Sequence, residues 1–393
     1  MPLRRRAIPP RSEDTGLPSP ISVNQTADVV IVGGGVIGCA IAYYLRKSGV
    51  DVTVVDKGEI GTQASSAAAG LLAPLGSISG PGPFADLLLA SWAMFPSLVA
   101  ELEDASGVHL EYEQTGSLRI VRNPKNTSNL RKRMNEWKPS GLQMHWLSGE
   151  KARQREPLLA SDVYAAIYAP EEAQIKAPQL VKAFARAAAN SGATFYSSRE
   201  ILGVARQDRR VTGVYTAQDE LIACNQLVVA SGAWAAGCGI WLDIPLPVNP
   251  QRGQILTLKQ PSPHPLQHII FGEAIYLAPK KDSTIVVGAT KEEVGFDKHI
   301  TAGGIAWLLS SAIRLAPDLD GCVIDQVWAG LRPKTPDNLP ILGKAPHWEN
   351  VTLAVGHGSV GIMLSAITGK SIAELVTTGK VPEIIEAFSV ERF

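Results

Sequence analysis

One arginine stands out for its setting. Residues 327–343 read VWAGLRPKTPDNLPILG, and Arg332 ends an apolar, strand-like run immediately before Pro333. Proline fixes its own φ and pushes the residue before it toward extended backbone. The guanidinium is therefore presented at a strand end. There it can cap a turn, pair with an acid, or hold an anionic ligand. The third use is chemically specific, because a planar fork of donors fits a carboxylate through two parallel hydrogen bonds. The local residues leave all three uses open.

A second chemistry-bearing set lies near the start. Residues 28–58 read DVVIVGGGVIGCAIAYYLRKSGVDVTVVDKG. DVVIV has the continuous apolar character of a buried parallel strand. Gly33, Gly35 and Gly38 follow as G-x-G-x-x-G, then a helical pattern to Gly49, then a second strand ending in Asp56. Gly33 suits a tight turn, Gly35 lets backbone N–H groups approach a pyrophosphate, and Gly38 allows close helix–strand packing. The helix N-terminus adds its positive dipole. Asp56 stands eighteen residues after Gly38, where an acid accepts bonds from ribose hydroxyls. The glycines alone are a weak signal, but the whole unit is a strong one for a dinucleotide.

The motif does not distinguish NAD from FAD. Small residues dominate positions 64–70, with hydroxyls at Thr62, Ser65 and Ser66. Such a segment suits a backbone running beside a large flat cofactor, and it equally suits a tightly packed helix start.

These residues need elements to position them. QLVVASG, residues 226–232, reads as another buried strand ending in small residues, and Ala233 and Trp234 follow. In open α/β sheets, ligands bind at such carboxyl ends. Residues 350–379 repeat the strand, glycine turn and helix grammar with Gly356, Gly358 and Gly361. Between these lie a meander over residues 201–229 and a hairpin turning at KKDS. Nucleotide-type strand ends near the start, middle and end of the chain predict two interleaved domains. The expected division is a tail over 1–26, a cofactor domain over 27–81, 147–236 and 328–393, and a substrate domain over 82–146 and 237–327.

Composition narrows the function classes. Of 393 residues 45% are hydrophobic, enough for a sizeable core, and 37 Lys and Arg balance 37 Asp and Glu. That balance gives no electrostatic case for nucleic acid or an anionic membrane. The start, MPLRRRAIPPRSEDTG, has three arginines but no apolar stretch after them, so it reads as a Pro- and Ser-rich tail rather than an export signal. The most apolar run, residues 85–103, is opened by Asp86 and interrupted by Pro96, and reads as a soluble helix. Cys39, Cys224, Cys238 and Cys322 lack metal-type spacing. They read as reduced thiols of a cytoplasmic protein. Among the histidines, His109, His145, His264, His268, His299 and His347 also lack ligand spacing and are expected at the surface.

With these motifs in order, the chain resembles the FAD-dependent amine oxidases of the glycine oxidase, sarcosine oxidase and D-amino acid oxidase family. Within it, the likeness is greatest to bacterial glycine oxidase of the thiamine-pathway type. It rests on DVVIVGGGVIG, SSAAAGLLAP, VVASGAWA, YLAPKKDSTIVVGAT, WAGLRPKTPD, LPILG and GHGSVGIMLSAITG, and covers residues 28–393. The resemblance implies an α/β fold in which a glutathione-reductase-type FAD domain is interleaved with a substrate domain built on a large antiparallel sheet. It implies FAD contacts at Gly33, Gly35, Val36, Ile37 and Gly38, and at Asp56 and Lys57. Further contacts are implied at Ser65, Ser66, Gly70 and Leu71, at Ile201, and at Ser231, Gly232 and Trp234. Toward the flavin they fall at Arg332 and at His357, Gly358, Ser359, Val360, Gly361 and Ile362. Arg332 and Tyr276 are the implied catalytic pair, holding a substrate carboxylate.

The implied reaction moves the α-hydrogen of a neutral amine as hydride to flavin N5. The imine then hydrolyses, and O2 becomes hydrogen peroxide. Some relatives attach FAD through a cysteine in the substrate domain; none lies near VVGATKEEVG, so noncovalent FAD is expected. Glycine-oxidase relatives commonly carry GHxRNG where this chain has GHGSVG. Ser359 and Val360 thus predict a less cationic pocket, and Leu71, Leu72 and Ile275 an apolar wall suited to N-methyl or larger amines. Trp328 reads as core, Lys291 as solvated, and His357 as tuning the flavin or bonding the backbone of its turn. The expected partners are a small amino-acid or amine substrate and O2, and a homo-oligomer is left open. Two alternatives remain: a dehydrogenase of the same fold feeding a quinone or partner subunit, and a noncatalytic FAD-binding subunit.

Overall fold

The computed structural model describes residues 23–259 and 265–393. The tail expected over 1–26 lies outside the described residues up to position 22, as does His264. From Val23 onward the chain is already strand, because Val23–Val32 pairs in parallel with Leu221–Val229 along its length.

Two eight-stranded sheets organise the chain. The first runs in the order Ile341–Lys344, Val351–Val355, Leu221–Val229, Val23–Val32, Val52–Val55, Thr194–Tyr196. The neighbours from Val351–Val355 onward are parallel. The antiparallel strands Ile201–Gln207 and Arg210–Thr216 extend it from Leu221–Val229, forming the expected meander. Val29 and Ile31 join one buried cluster with the helices Val36–Lys47, Ala177–Asn190 and Gly361–Thr378. Val30 and Val32 join a second cluster on the opposite face. Strands buried on both faces must be apolar at every position, which is why DVVIV shows no alternation.

The second sheet runs Val323–Lys334, Asn249–Lys259, Thr284–Gly288, Tyr276–Pro279, Ile269–Phe271, Ser117–Val121, Ala165–Ala169, His145–Ser148. All of its pairings are antiparallel except that of Ile269–Phe271 with Ser117–Val121. Helix Ala302–Leu315 covers one face, burying Leu308 and Ala312 against Leu256, Leu277 and Val287. The other face carries the residues described below.

Four segments depart from the expected division. His145–Ser148 and Ala165–Ala169 belong to the antiparallel sheet, although 147–236 was assigned to the cofactor domain. Val323–Lys334 lies wholly in that sheet and crosses the expected boundary at 328. Helix Pro83–Ser106 packs against Gly361–Thr378 and Ala177–Asn190 beneath the first sheet. Each assignment depends on long-range pairing, which local pattern does not encode. Pro83–Ser106 continues through Pro96 and ends at Gly107, whose φ of 65° suits a left-handed cap. Among the described residues it is the one helix long and apolar enough to cross a membrane by length and composition. Its Leu87, Leu88, Phe95, Leu98 and Leu102 are buried in the protein core.

Candidate active site

The carboxyl ends of Val23–Val32, Val52–Val55 and Leu221–Val229 open into a cleft of about 320 Å³. Of the residues expected to hold cofactor, Gly33, Gly35, Asp56, Lys57, Ser65, Ile201, Ser231, Gly232 and Trp234 line it. Gly33 has φ 108°, and a side chain there would meet the Ala230 carbonyl across the two strand ends. A side chain at Gly38 would run into the carbonyl of Gly33. Those are the tight turn and the close packing that the spacing predicts. Gly35 is the N-cap of Val36–Lys47 and offers no capping side chain. Val36 and Ile37 form the buried first turn, where the Val36 N–H donates to Ser65 Oγ at 3.0 Å.

Asp56 serves the loop as well as the cleft. Its Oδ2 accepts from the Gly34 N–H at 2.7 Å and its Oδ1 from the Gly58 N–H at 2.8 Å. A helix start with glycine at its N-cap, close backbone approach at Gly33 and a strand-end carboxylate together fit the adenosine and pyrophosphate of a dinucleotide. Lys57 Nζ sits 4.2 Å from the centre of the Trp234 ring. Gly61, Gln63, Arg199, Leu202 and Trp241 also line the cleft and were missed. Gly61, with φ 78° against Val181, carries the local signal of a glycine turn, whereas Leu202 and Trp241 carry none.

The segment over residues 64–72 leads from this cleft to the antiparallel sheet. Ser65 lines the cleft, while Ser66 donates to Gln63 within its own short helix. Trp328 Nε1 donates to the Ala67 carbonyl at 3.1 Å. Half-buried Lys280 donates to the Ala69 carbonyl at 2.7 Å and to Gln174 Oε1 at 2.8 Å. Burial lowers the Lys280 ammonium to about 8. Gly70 turns with φ 77°, and its amide plane lies so close to Ile175 that a side chain would collide with that carbonyl. Leu71 then pairs with Gln174.

Arg332 and Tyr276 stand on strands separated by two others, yet they converge. The register aligns Tyr276 with Gly288, Gly288 with Ile255, and Ile255 with Trp328. Directly opposed residues share a face, and Trp328, Gly330 and Arg332 continue that face by alternation. A side chain at Gly288 would collide with the Tyr276 ring and hydroxyl, and one at Gly253 with the Arg332 guanidinium. The two side chains therefore lie inward across glycines. These two glycines were missed, although isolated glycines within strand patterns signal a close approach.

Arg332 Nη1 donates to the carbonyls of Thr290 at 3.0 Å and Arg252 at 3.4 Å. Among the described residues no carboxylate forms an ion pair with it. Burial holds its pKa below the usual guanidinium value, with Tyr276 opposing that shift. Burial pushes the Tyr276 hydroxyl up to about 12, so it stays protonated. The two groups make an uncompensated positive site with a neutral hydroxyl donor beside it.

The apolar wall differs from the expected one. Ile275 points to the opposite face, into the core under helix Ala302–Leu315, and Leu72 is buried in the first-sheet core. Alternation along the strand forces Ile275 away when Tyr276 faces in. Leu71, Ile255, Ala278, Ala289 and Trp328 cluster with Tyr276 instead.

The residues of the final turn do not line the cleft. They meet Arg332's strand end, where the Gly358 N–H donates to the Pro333 carbonyl at 2.9 Å. Ser359 is exposed, Val360 is the uncapped N-cap of Gly361–Thr378, and Ile362 is buried. His357 is buried with Nε2 3.2 Å from Thr368 Oγ1, a side-chain partner rather than the backbone of its turn. Burial pulls its imidazole down to about 3, so it is neutral at physiological pH. His268 corrects another expectation: it is buried, with Nδ1 3.1 Å from Glu156. Lys291 is exposed, as expected.

Comparison with known proteins agrees with this geometry. A family described as "FAD dependent oxidoreductase" matches residues 28–375. Glycine oxidase of Geobacillus kaustophilus is 35% identical over 93% of this chain and 97% of its own length. A crystal structure of glycine oxidase from Geobacillus kaustophilus matches with a TM-score of 0.90 at 34% identity, over 94% of this chain and 100% of that one. The bifunctional protein ThiO/ThiG of Synechocystis is 37% identical over 94% of this chain, which spans about half (54%) of that relative's length. Hydrogen cyanide synthase subunit HcnC of Pseudomonas aeruginosa is 32% identical over 94% of this chain and 97% of its own. The chain belongs to the FAD-dependent oxidoreductase family, with FAD as its cofactor.

Proposed function

We propose that the protein oxidises a small amino acid or N-alkyl amino acid of the glycine or sarcosine type, with O2 as the electron acceptor. One observation carries this reading. Arg332 is a half-buried cation without a carboxylate partner among the described residues, beside the protonated hydroxyl of Tyr276. A substrate carboxylate supplies the missing charge through a bidentate pair, and Tyr276 adds a third donor. The names of the glycine oxidase relatives support the substrate class.

Overall, amino acid, O2 and water give an oxo acid, ammonia or an alkylamine, and hydrogen peroxide. FAD, when bound, supplies the two-electron acceptor. Gly33, Gly35, Asp56 and Ser65 would hold its nucleotide end, and residues 67–72 would border the ring end. Arg332 and Tyr276 fix the carboxylate, which orients the α-carbon and removes rotational freedom before reaction. Leu71, Ile255 and Trp328, clustered with Tyr276, form an apolar wall beside the amine. His357 is neutral and engaged with Thr368, so it takes no acid–base part.

The HcnC relative, a synthase subunit, favours a second reading in which the same amine oxidation delivers electrons to a partner or quinone. Anaerobic mixing with a panel of D-, L- and N-methyl amino acids, followed by admission of O2, tests both. Bleaching of the flavin with stoichiometric peroxide on reoxidation supports the oxidase. Bleaching without rapid reoxidation supports the second reading.

A further inference from the structure

Residues 290–301 leave the antiparallel sheet after Thr284–Gly288 and return at helix Ala302–Leu315, with no helix or strand of their own. Their base is firmly tied. Buried Arg252 donates to Glu292 at 2.5 Å, Asp297 at 2.7 Å and the His299 carbonyl at 2.9 Å. Gln254 adds bonds to Glu292 at 2.8 Å and Thr301 at 3.0 Å, and backbone bonds join Arg252 to Glu292 in both directions.

The outer part of the segment is held differently. Phe296 is 53% exposed and stacks on Trp234, with ring centres 5.5 Å apart and planes at 23°. Lys298 Nζ donates to Gln63 Oε1 at 3.1 Å. Trp234 and Gln63 both line the nucleotide cleft and come from segments far apart in the chain. The segment thus reaches from the antiparallel sheet to two separate lining residues of the cleft through two individually weak contacts. Trp234 is gripped between Phe296 on one contact and Lys57 on another. A large aromatic ring left half in water is explained if its task is to stack on a cleft wall.

We propose that residues 290–301 are a clasp that retains FAD: Arg252 anchors the segment, and Phe296 and Lys298 hold the cleft walls Trp234 and Gln63 over the bound nucleotide. The inference rests on FAD as the cofactor and is independent of which amine is oxidised. Release requires only the Phe296 and Lys298 side chains to leave the rim, while Asp297 between them stays bonded to Arg252.

The test is the rate of FAD release from the holoenzyme, read as the rise in flavin fluorescence after dilution. An aromatic stack of this kind corresponds to release about threefold to tenfold faster in Phe296→Ala. Phe296→Tyr restores the slow rate, and Phe296→Ala has no further effect in a Trp234→Ala background. Val294→Ala, on the same segment, releases at the wild-type rate. Release at the wild-type rate from both Phe296→Ala and the Phe296→Ala/Lys298→Ala double variant overturns the proposal. So does equal acceleration by Val294→Ala.

Discussion

The ring of Tyr276 lies over Gly288, in the space where any other residue would place its first side-chain atom. Arg332 has the same relation to Gly253. Two side chains on strands separated by two others meet because the intervening strands give up their side chains at those points. The carboxylate site is thus a property of four strands.

Gly288→Ala and Gly253→Ala should therefore weaken substrate binding while leaving the cofactor in place. A methyl group at either position displaces one donor of the pair, and losing a hydrogen bond to a charged group costs about 1.5–3 kcal/mol, or about tenfold to a hundredfold in KM. Steady-state kinetics with FAD content measured on the same preparations checks this. Unchanged KM in both variants contradicts the glycine floor.

Asp56 joins two backbone N–H groups of the nucleotide turn. Asp56→Ala should free Gly34 and Gly58 and raise the dissociation constant for FAD by about tenfold or more. Titration of apoprotein by fluorescence quenching measures it. Asp56→Asn should fall between, since the amide keeps one acceptor oxygen.

His357 gives a pH signature. Burial takes its imidazole from 6.5 to about 3. Between those values the unfolded chain binds a proton that the native state refuses. Stability therefore rises with pH across this window and is lost as pH falls from 6.5 toward 3. His357→Gln removes the titration, so the pH dependence should flatten by up to about 1.4 kcal/mol per pH unit. Urea unfolding at pH 7, 5.5 and 4 makes the comparison; parallel curves for the two proteins count against it.

Much of the nucleotide site was legible because its signals are local. Gly33, Gly38 and Asp56 lie within one strand–turn–helix–strand unit, and each glycine does there what its spacing predicts. The antiparallel sheet was legible only in pieces. The hairpin of Tyr276–Pro279 and Thr284–Gly288 has a local turn, with Ser283 at φ 62°. The membership of His145–Ser148 and Ala165–Ala169 depends on partners far along the chain. Ile275 shows a different failure. Its apolar character suited a pocket wall, but alternation beside Tyr276 already required it to face the core. Gly253 and Gly288 were visible as isolated glycines in strands, yet their meaning required the register that opposes them to Arg332 and Tyr276.

The central claim is that Arg332 anchors a substrate carboxylate. Anaerobic flavin reduction by glycine and by sarcosine, compared between the wild type and Arg332→Ala at matched FAD content, tests it most directly. Losing two charge-assisted bonds predicts a fall of about a hundredfold or more in the second-order rate of reduction. Arg332→Lys recovers only part of it, because an ammonium does not reproduce the fork. Reduction of Arg332→Ala by both amino acids at the wild-type rate would contradict the account.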